Sequence, residues 1–403
     1  MTIFECLCLF VYTARRQASA QIHVMKIQQK RFSKPRGWEV VRDDRVDPSL
    51  CHLVLVFASR EILADAAVFN AIKSSYPHAE ILLNSTAGEI YDTHVYENTL
   101  TLTAIVFEKT SIHSSAIQLE DAGSSFDAGK QLAGGLDPEG LKSVLVIADG
   151  RRVNGSELVV GLQKHLPEGT IITGGLAGDG EKFEKTLVGL NEPPLEGRIA
   201  AIGFYGRNLF VTYGSISGWD PFGPDRLITR SEGNILYELD GKPALDLYKL
   251  YLGEYAQELP RAALLFPLHI RTTGEYNSTV RTVLSVSEEN KSLTFAGNVP
   301  RGAHARLMKV NMNRLINSAS AAAKHSSNDK IIYPELAILI SGAGRKLVLD
   351  QRVEEEVEAV RETYGSKTAL TGFYAYGEIA PSFNFLKCEL HNQTMTITTL
   401  TEG

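Results

Sequence analysis

Three loops of the sequence place a glycine directly before an acidic residue: Ala87-Gly88-Glu89, Ala177-Gly178-Asp179 and Tyr376-Gly377-Glu378. A carboxylate accepts hydrogen bonds from a ligand amine, and the backbone amides of a glycine loop can hold a ligand carboxylate. The pattern therefore predicts that a small polar ligand binds at these loops. The alternative, which the sequence leaves open, is a set of tight turns in which the acid caps free amides.

Each loop follows a predicted strand, and loops at the strand ends of α/β sheets are the usual position of ligands. Glycine at such a point allows positive φ or the close approach of a ligand. Duplicated units often bring equivalent loops together, so we predict a shared cleft. The predicted ligand-binding residues are Ser85, Thr86, Gly88, Glu89, Gly174, Gly175, Gly178, Asp179, Tyr376, Gly377 and Glu378.

Motifs of known catalytic sites are missing or incomplete. Gly123 and Gly129-Lys130 have one residue too many between the glycines for a phosphate loop, and Gln131 stands where Ser or Thr is needed. Gly342-Ala343-Gly344 lacks the third glycine of a dinucleotide loop. No nucleophile elbow and no paired Cys/His set with zinc spacing occurs. We predict no enzymatic activity, although an α/β hydrolase or transferase stays open because a triad is assembled in space.

The elements that carry the loops recur along the chain. Residues 53–58 and 80–83 predict two strands around a helix, followed by strands over 94–106 and 110–118. The same order returns at 143–148 and 170–173, with strands at about 185–190, 197–205 and 209–217. Val54 to Gly88 and Val144 to Gly178 span equal lengths, which indicates duplication. A diverged third copy has strands at 336–341 and 369–373, with a helix at Val353, Val357 and Val360 between them.

We therefore predict an α/β fold with mixed sheets and two modules, the first an internal duplication of a β-α-β-loop-β-β-β unit. The predicted domains are a disordered extension at 1–39, a first module at 40–217 and a second at 218–403. The second boundary lies at Gly218–Pro224, which is rich in Pro and Gly. Helices are expected over 230–256 and 309–325.

Composition excludes two kinds of partner. The 403 residues include 41 Lys and Arg against 47 Asp and Glu, a net charge of -6 without a basic stretch. Neither nucleic acid nor an anionic membrane surface is expected as a partner.

Residues 6–14 are apolar but too short to span a bilayer, and no basic region precedes them as in a signal peptide. We expect a cytoplasmic protein, with residues 1–24 an extension ahead of Met25.

The chain resembles FIST-domain sensor proteins, which carry an amino-terminal and a carboxy-terminal FIST module. The resemblance extends from about residue 50 to the end and rests on the order of several short motifs. In the first module these are Ser85–Ile90, Gly174–Asp179 and Ala200–Phe204. In the second they are Ser231–Asn234, Leu239–Ala244, Gly372–Ile379 and His391–Thr394.

The resemblance implies a cytoplasmic, non-catalytic sensor whose ligand is an amino acid or a related metabolite. Because the sequence ends at Gly403, soon after the second module, we expect its output to act through a separate signalling protein. Some stand-alone members bind haem, sense nitric oxide and regulate a histidine kinase or a cyclic-diguanylate enzyme. On that alternative haem is the cofactor and His391 its ligand. Gly342 stands where many relatives have Cys, so thiolate chemistry is not expected there.

Overall fold

The computed structural model describes residues 25–272, 278–327, 333–382 and 387–403. Its strands are β1 Lys26–Ser33, β2 Gly37–Asp43, β3 Leu53–Ala58, β4 Glu80–Ser85, β5 Glu89–Tyr91, β6 His94–Tyr96, β7 Leu100–Val106, β8 Ser111–Gln118, β9 Leu141–Ala148, β10 Ile171–Leu176, β11 Val188–Leu190, β12 Arg198–Tyr205, β13 Leu209–Ile216, β14 Trp219–Glu232, β15 Ile235–Leu239, β16 Lys242–Pro243, β17 Leu268–Arg271, β18 Ser278–Arg281, β19 Val283–Ser287, β20 Ser292–Phe295, β21 His304–Val310, β22 Leu336–Gly342, β23 Ala369–Ala375, β24 Gly377–Pro381, β25 Cys388–His391 and β26 Met395–Glu402. Its α-helices are α1 Arg60–Leu63, α2 Ala66–Ser75, α3 Leu119–Ala122, α4 Ser125–Gly134, α5 Gly155–His165, α6 Ala244–Leu252, α7 Met312–Ser326, α8 Ala343–Leu349 and α9 Val353–Tyr364. Short 3₁₀ turns lie at Pro48–Leu50, Gly253–Glu258, Arg261–Leu265 and Asp350–Arg352.

A unit of three strands occurs three times in the described residues. In each unit two strands are parallel and joined through helices, and a third strand pairs antiparallel with the first of them. The units are β4-β3-β7, β10-β9-β12 and β23-β22-β26. The predicted α/β class with mixed sheets is confirmed, and the units correspond to the three copies in the sequence.

Each unit lends strands to another unit's sheet. Strands β5 and β6, from the first unit, extend the third unit's sheet through β23. Strands β24 and β25, from the third unit, extend the second unit's sheet through β10. Strand β11, from the second unit, pairs with β4 of the first. The exchange is cyclic, so the three units form one body.

A common core lies between the three sheets. In a strand, alternate side chains point to opposite faces. Leu53, Leu55 and Phe57 on β3, Leu145 and Ile147 on β9, and Leu336, Ile338 and Ile340 on β22 share one buried cluster. The intervening side chains of these strands pack outward, towards the helices of their own units. Because both faces of the central strands are covered, these strands are apolar throughout rather than alternating.

The structure corrects the predicted domain boundaries. Strands β1 and β2 extend the first unit's sheet through β7, so the folded chain starts well before the predicted boundary at residue 40. Residues 1–24 lie outside the described part. Strand β13 pairs with β26, so the segments on either side of the predicted boundary at 217/218 share a sheet.

Residues 230–256 do not form the predicted helix. The chain ends β14, turns into β15, turns again at Asp240-Gly241, and becomes helical only in α6. Both turn residues have positive φ, which stops a right-handed helix. This segment belongs to an eight-stranded sheet, β14 to β21, that stands apart from the three units in the strand order. The second predicted helix, over 309–325, corresponds to α7.

No helix among the described residues is both long and apolar enough to cross a bilayer.

Candidate functional site

The three glycine–acid loops meet at one place. The amide of Gly178 donates to the carbonyl of Ser85 at 3.0 Å. The amide of Ala87 donates to the carbonyl of Tyr374 at 2.8 Å, and that of Tyr376 to the carbonyl of Leu176 at 3.1 Å. The carboxyl ends of the three parallel strand pairs therefore come together, and the backbone groups of the loops bond to one another.

Most of the predicted glycines serve this close packing. A Cβ on Gly174 would lie 1.8 Å from the carbonyl oxygen of Val146, which belongs to the neighbouring strand. A Cβ on Gly175 would lie 2.8 Å from the side chain of Ile340, and one on Gly178 2.8 Å from the amide of Ala87. Around Gly377 the side chains of Leu176 and Leu390 leave 3.1 Å. Glycine at these positions lets neighbouring strands and loops, within a unit at Gly174 and between units at the others, approach each other closely.

A cleft of about 340 Å³ lies between the first and second loops. The first unit lines it with Ser59, Arg60, Glu61, Thr86, Ala87, Gly88, Glu89, Glu97 and Asn98; the second with Asp179, Gly180, Glu181 and Lys182; and the third with Lys346. Ser59 and Arg60 follow β3, and Lys346 lies on α8, directly after β22. All three units thus contribute to one cleft through residues that follow the ends of their strands.

Glu89 and Asp179 are the buried acids among the described residues that line this cleft. Oε1 of Glu89 accepts a hydrogen bond from the hydroxyl of Thr86 at 2.6 Å. Its Oε2 accepts from the hydroxyl of Thr99 at 2.8 Å and from the Thr99 amide at 3.3 Å. Burial raises the pKa of Glu89 to about 7, because the charged form loses its hydration. The carboxyl can therefore exchange a proton near neutral pH.

Lys346 brings a cation to the same cleft and pairs with Glu97. Its aliphatic stem passes over Gly88, where a Cβ would lie 2.9 Å from Cδ and Cε of the lysine. Gly88 also has a backbone φ of 147°, a conformation that residues other than glycine rarely adopt. Glycine at this position therefore permits both the loop conformation and the path of the lysine.

Asp179 lines the cleft, but its oxygens are already engaged. It accepts hydrogen bonds from the amides of Phe183, Glu184 and Lys185 at 2.8–2.9 Å. It also pairs with Arg60 at 3.2 Å and accepts from the hydroxyl of Tyr376. Asp179 consequently holds its own loop and positions Arg60. This arrangement matches the alternative of a tight turn in which the acid caps free amides.

Glu378 and Tyr376 do not line the cleft. Glu378 is fully buried, and its Oε2 accepts from the amide and the hydroxyl of Thr394 at 2.9 and 2.7 Å. Burial raises its pKa to about 8. Thr394 precedes β26 as Thr99 precedes β7, so Glu378 and Glu89 make equivalent contacts in two units. Only Glu89 also opens onto the cleft.

Two family models match the sequence in succession: the FIST N domain over residues 52–242 and the FIST C domain over 244–381. The chain belongs to the FIST family. FIST domains are sensory domains of signal transduction that bind small ligands. The two FIST ranges meet at 242–244, later in the chain than the predicted boundary at 217/218.

Two solved structures are similar to this FIST protein at low identity. One is a cyanuric acid hydrolase from A. caulinodans, at 8% identity and a TM-score of 0.35, covering 94% of this chain and 99% of that one. The other is also a cyanuric acid hydrolase, at 9% identity and a TM-score of 0.32, covering 94% of this chain and 100% of that one. A comparison with curated proteins found no match.

His391, the predicted haem ligand, is engaged within the FIST sheets. Its Nε2 lies 3.1 Å from the carbonyl oxygen of Ala380, on the neighbouring strand. Burial lowers its pKa to about 4, so the ring is neutral at pH 7. The nearby cleft beside Leu390 has about 200 Å³, whereas pockets for drug-sized ligands, which are smaller than haem, have roughly 300–1,000 Å³. The described residues around His391 therefore do not fit a haem.

Sequence reasoning missed Ser59, Arg60 and Lys346. Each follows the end of a strand that was itself predicted, and residues after parallel strands converge at one edge. That position was the available signal, but none of the three lies in one of the three glycine–acid loops. In the described residues no group of three or more His, Cys, Asp or Glu side chains is placed to hold a metal ion.

Proposed function

We propose that this FIST protein is a non-catalytic sensor whose cleft binds a small metabolite with both an amine and a carboxylate, such as an amino acid. We further propose that ligand binding is communicated to a separate signalling protein. The first proposal deepens the family's sensory role by naming the chemistry of the ligand and the residues that contact it.

The observation that carries the proposal is the presence of both charges in one cleft. Arg60, Lys182 and Lys346 supply cations, while Glu61, Glu89 and Glu97 supply carboxylates. A zwitterion presents one group to each kind. Charge-assisted hydrogen bonds of this type are about twice as strong as neutral ones. We assign the ligand carboxylate to the Lys346 and Arg60 side of the cleft, and the ligand amine to Glu89.

Ser59 supports the proposal independently. Ser59 is buried and lines the cleft, and its hydroxyl has no hydrogen-bond partner among the described residues. Although it is the N-cap of α1, it makes no capping bond. A buried polar group without a partner costs roughly 1–3 kcal/mol. A ligand that bonds to this hydroxyl would remove that cost.

The loop amides do not hold the ligand carboxylate. The amides of Ala87 and Gly178 already donate to backbone carbonyls of the other loops. The amide of Gly88 donates to the hydroxyl of Thr86 at 3.2 Å. Side chains at the strand ends therefore take the role that the sequence assigned to the glycine loops.

Output through a separate protein is supported by how the described chain is used. Strands β1, β2 and β26 lie outside the two FIST ranges, yet they belong to the sheets of the repeated units. The described residues thus form no additional output domain. On this proposal, a change in the cleft is recognised by the partner at the surface of these units.

A thermal-shift screen tests the ligand class. Each amino acid is compared with the amine that lacks its carboxylate and the hydroxy acid that lacks its amine. We expect one amino acid to stabilise the protein by about 2.7 kcal/mol at about 100 times its dissociation constant, and both analogues to stabilise it much less. Equal effects of an amino acid and its amine would contradict the proposal.

Replacing Ser59 by Ala separates a binding role from a structural one. Removing an unpartnered hydroxyl should leave the free protein as stable as the wild type, or more so, while the shift caused by the ligand becomes smaller. Ser75, on α2, is the matched control because its hydroxyl bonds to the Ala71 carbonyl at 2.9 Å and faces solvent. Ser75→Ala should not change the ligand-induced shift.

The same samples address the two alternatives. If the ligand is recovered chemically changed, as followed by NMR, the protein is a hydrolase or transferase and the non-catalytic proposal is wrong. If the protein purified with haem supply shows a stoichiometric Soret band that shifts with nitric oxide, the haem-sensor alternative replaces the metabolite proposal.

A further inference from the structure

A second cleft shares no lining residue with the Glu89 cleft. It has about 200 Å³ and lies between α5, the paired strands β17 and β18, and β25. Its polar and charged lining consists of Arg281, Ser156, Asn298, Thr272, Thr279, Lys387 and Glu389. Its apolar lining includes Val159, Val160, Ile270, Pro300 and Leu390. The cleft is thus divided between hydrogen-bonding groups and hydrocarbon.

Arg281 is a buried cation without an ion-pair partner in the described residues. It is 6% exposed, and its guanidinium donates to the carbonyls of Asn298, Val280 and Leu390 at 2.9–3.1 Å. Its Nη2 also donates to the hydroxyl of Ser156 at 3.3 Å. Four of the five N–H groups are used, so one hydrogen on Nη2 is left for a ligand.

Arg345, which is also buried, has the ion-pair partner that Arg281 lacks among the described residues. Arg345 bonds to the Glu356 carboxylate through Nε at 3.0 Å and through Nη2 at 2.7 Å. Buried charges in proteins are normally neutralised in this way. The carboxylate that acts electrostatically on Arg281 is that of Glu389. Its Oε1 lies 3.8 Å from Nζ of Lys387.

The hydroxyl of Ser156 is oriented by two donors. It accepts from Nη2 of Arg281 and from the amide of Asn298 at 3.1 Å. Both bonds use the oxygen, so the hydroxyl proton is left to donate. Ser156 also lies in the first turn of α5, where the partial positive charge of the helix favours an anion. A cation and a hydroxyl donor are therefore side by side in the wall of the cleft.

We propose that the cleft at Arg281 is a second ligand site, which binds a small organic carboxylate. The carboxylate accepts hydrogen bonds from Nη2 of Arg281 and from the Ser156 hydroxyl, and Lys387 at the rim attracts the anion. The hydrocarbon part packs against Val159, Ile270 and Leu390. This site is independent of the amino-acid cleft, so it stands or falls apart from the proposed function.

The site joins parts of the protein that are distant in sequence. Arg281 belongs to the eight-stranded sheet, Ser156 to the second unit and Leu390 to the third. A carboxylate bound there stabilises the contact between that sheet and the repeated units. Binding at this site can therefore make the same protein respond to a second metabolite.

Calorimetric titration of the full chain with acetate, butyrate, isovalerate and inorganic phosphate, at matched ionic strength, tests the proposal. We expect the affinity to rise from acetate to isovalerate as apolar surface is buried, and phosphate to bind more weakly than isovalerate. Absence of binding by isovalerate overturns the proposal. Phosphate binding as tight as isovalerate overturns the assignment to an organic carboxylate.

Two variants locate the binding. Arg281→Met should weaken isovalerate binding by roughly ten-fold or more, since hydrogen bonds to charged groups contribute about 1.5–3 kcal/mol. Arg230→Met is the matched control, because Arg230 lies on the same sheet, is 60% exposed in its side chain and pairs with Glu238. It should leave the affinity unchanged.

If Arg281→Met does not fold, Ser156→Ala provides the second measurement. It removes the donated proton and keeps the arginine, so we expect isovalerate binding to weaken several-fold in a folded protein. Lys346→Met, in the other cleft, should bind isovalerate like the wild type. Isovalerate binding that is lost in Lys346→Met but kept in Ser156→Ala would place the ligand in the wrong cleft and overturn the proposal.

Discussion

Replacing Glu89 by Gln should make the stability of the folded protein less dependent on pH. The pKa of this carboxyl rises from an ordinary 4.5 to about 7 on folding, chiefly through burial. Between these values the folded state holds a proton that the unfolded state has released. Stability conferred by the protonated carboxyl is therefore present at low pH and lost as the pH rises through this window.

The size of the effect follows from the two pKa values. One pKa unit corresponds to about 1.4 kcal/mol, so the wild type should lose on the order of 3 kcal/mol between about pH 4 and about pH 8 through Glu89 alone. Glutamine resembles the protonated acid and can keep hydrogen bonds to Thr86 and Thr99. The variant should therefore match the wild type near pH 4 and exceed it by about 3 kcal/mol near pH 8.

Urea unfolding at a series of pH values measures this difference. Glu139→Gln is the matched control, since Glu139 is exposed in the loop before β9. Its stability should follow that of the wild type at every pH. A constant difference between Glu89→Gln and the wild type across the series would show that Glu89 does not change its protonation in this window, and would refute the reasoning.

Three further substitutions test the geometry. Gly88→Ala and Gly140→Ala both place a side chain at positive φ, but only the first crowds Lys346, so only the first should weaken amino-acid binding in calorimetry. Arg345→Met should destabilise the protein by roughly 3–5 kcal/mol in thermal unfolding, because it leaves Glu356 buried without its cation. The double variant with Glu356→Leu should recover part of this stability. Absence of any recovery would contradict the account. Gly174→Ala places a Cβ 1.8 Å from a backbone oxygen, so it should abolish soluble expression, and a folded variant would argue against the packing described.

The repeated unit could be predicted from the sequence because its signals are local. Apolar runs such as Leu53–Ala58 and Leu336–Gly342 are central strands covered on both faces, and the first two units keep the same spacing from this strand to the glycine loop. The exchange of β5-β6, β24-β25 and β11 could not be predicted. Strand pairing across hundreds of residues leaves no periodicity in either strand.

The misassigned segment at 230–256 shows a different limit. Its apolar residues fit a helical spacing, but Asp240 and Gly241 have positive φ and turn the chain before α6 begins. A Gly next to Asp is a turn signal that outweighs the spacing of the apolar residues. The folded state of Lys26–Ser33 was missed because Ile27 and Phe32 are the only apolar residues of this strand, so its sequence resembles a polar terminus although it lies between β7 and β2.

The candidate site was predicted in part. The loops of Glu89 and Asp179 do line a common cleft, whereas Glu378 makes the same threonine contacts inside the protein. Sequence repeats identify equivalent positions but not which of them remains open to a ligand. Lys346 was not predicted because its importance depends on the path of its side chain over Gly88, which only the assembled units define.

The central claim is that the cleft of Glu89 and Lys346 binds a zwitterionic metabolite. Its most direct test is calorimetric titration of the wild type, Lys346→Met and Lys130→Met with the amino acid that gives the largest thermal shift; Lys130 is an exposed lysine on α4. We predict one binding site, an affinity about ten-fold weaker in Lys346→Met, and no change in Lys130→Met. Binding that is equal in all three proteins, or no binding of any amino acid by the wild type, would contradict the account.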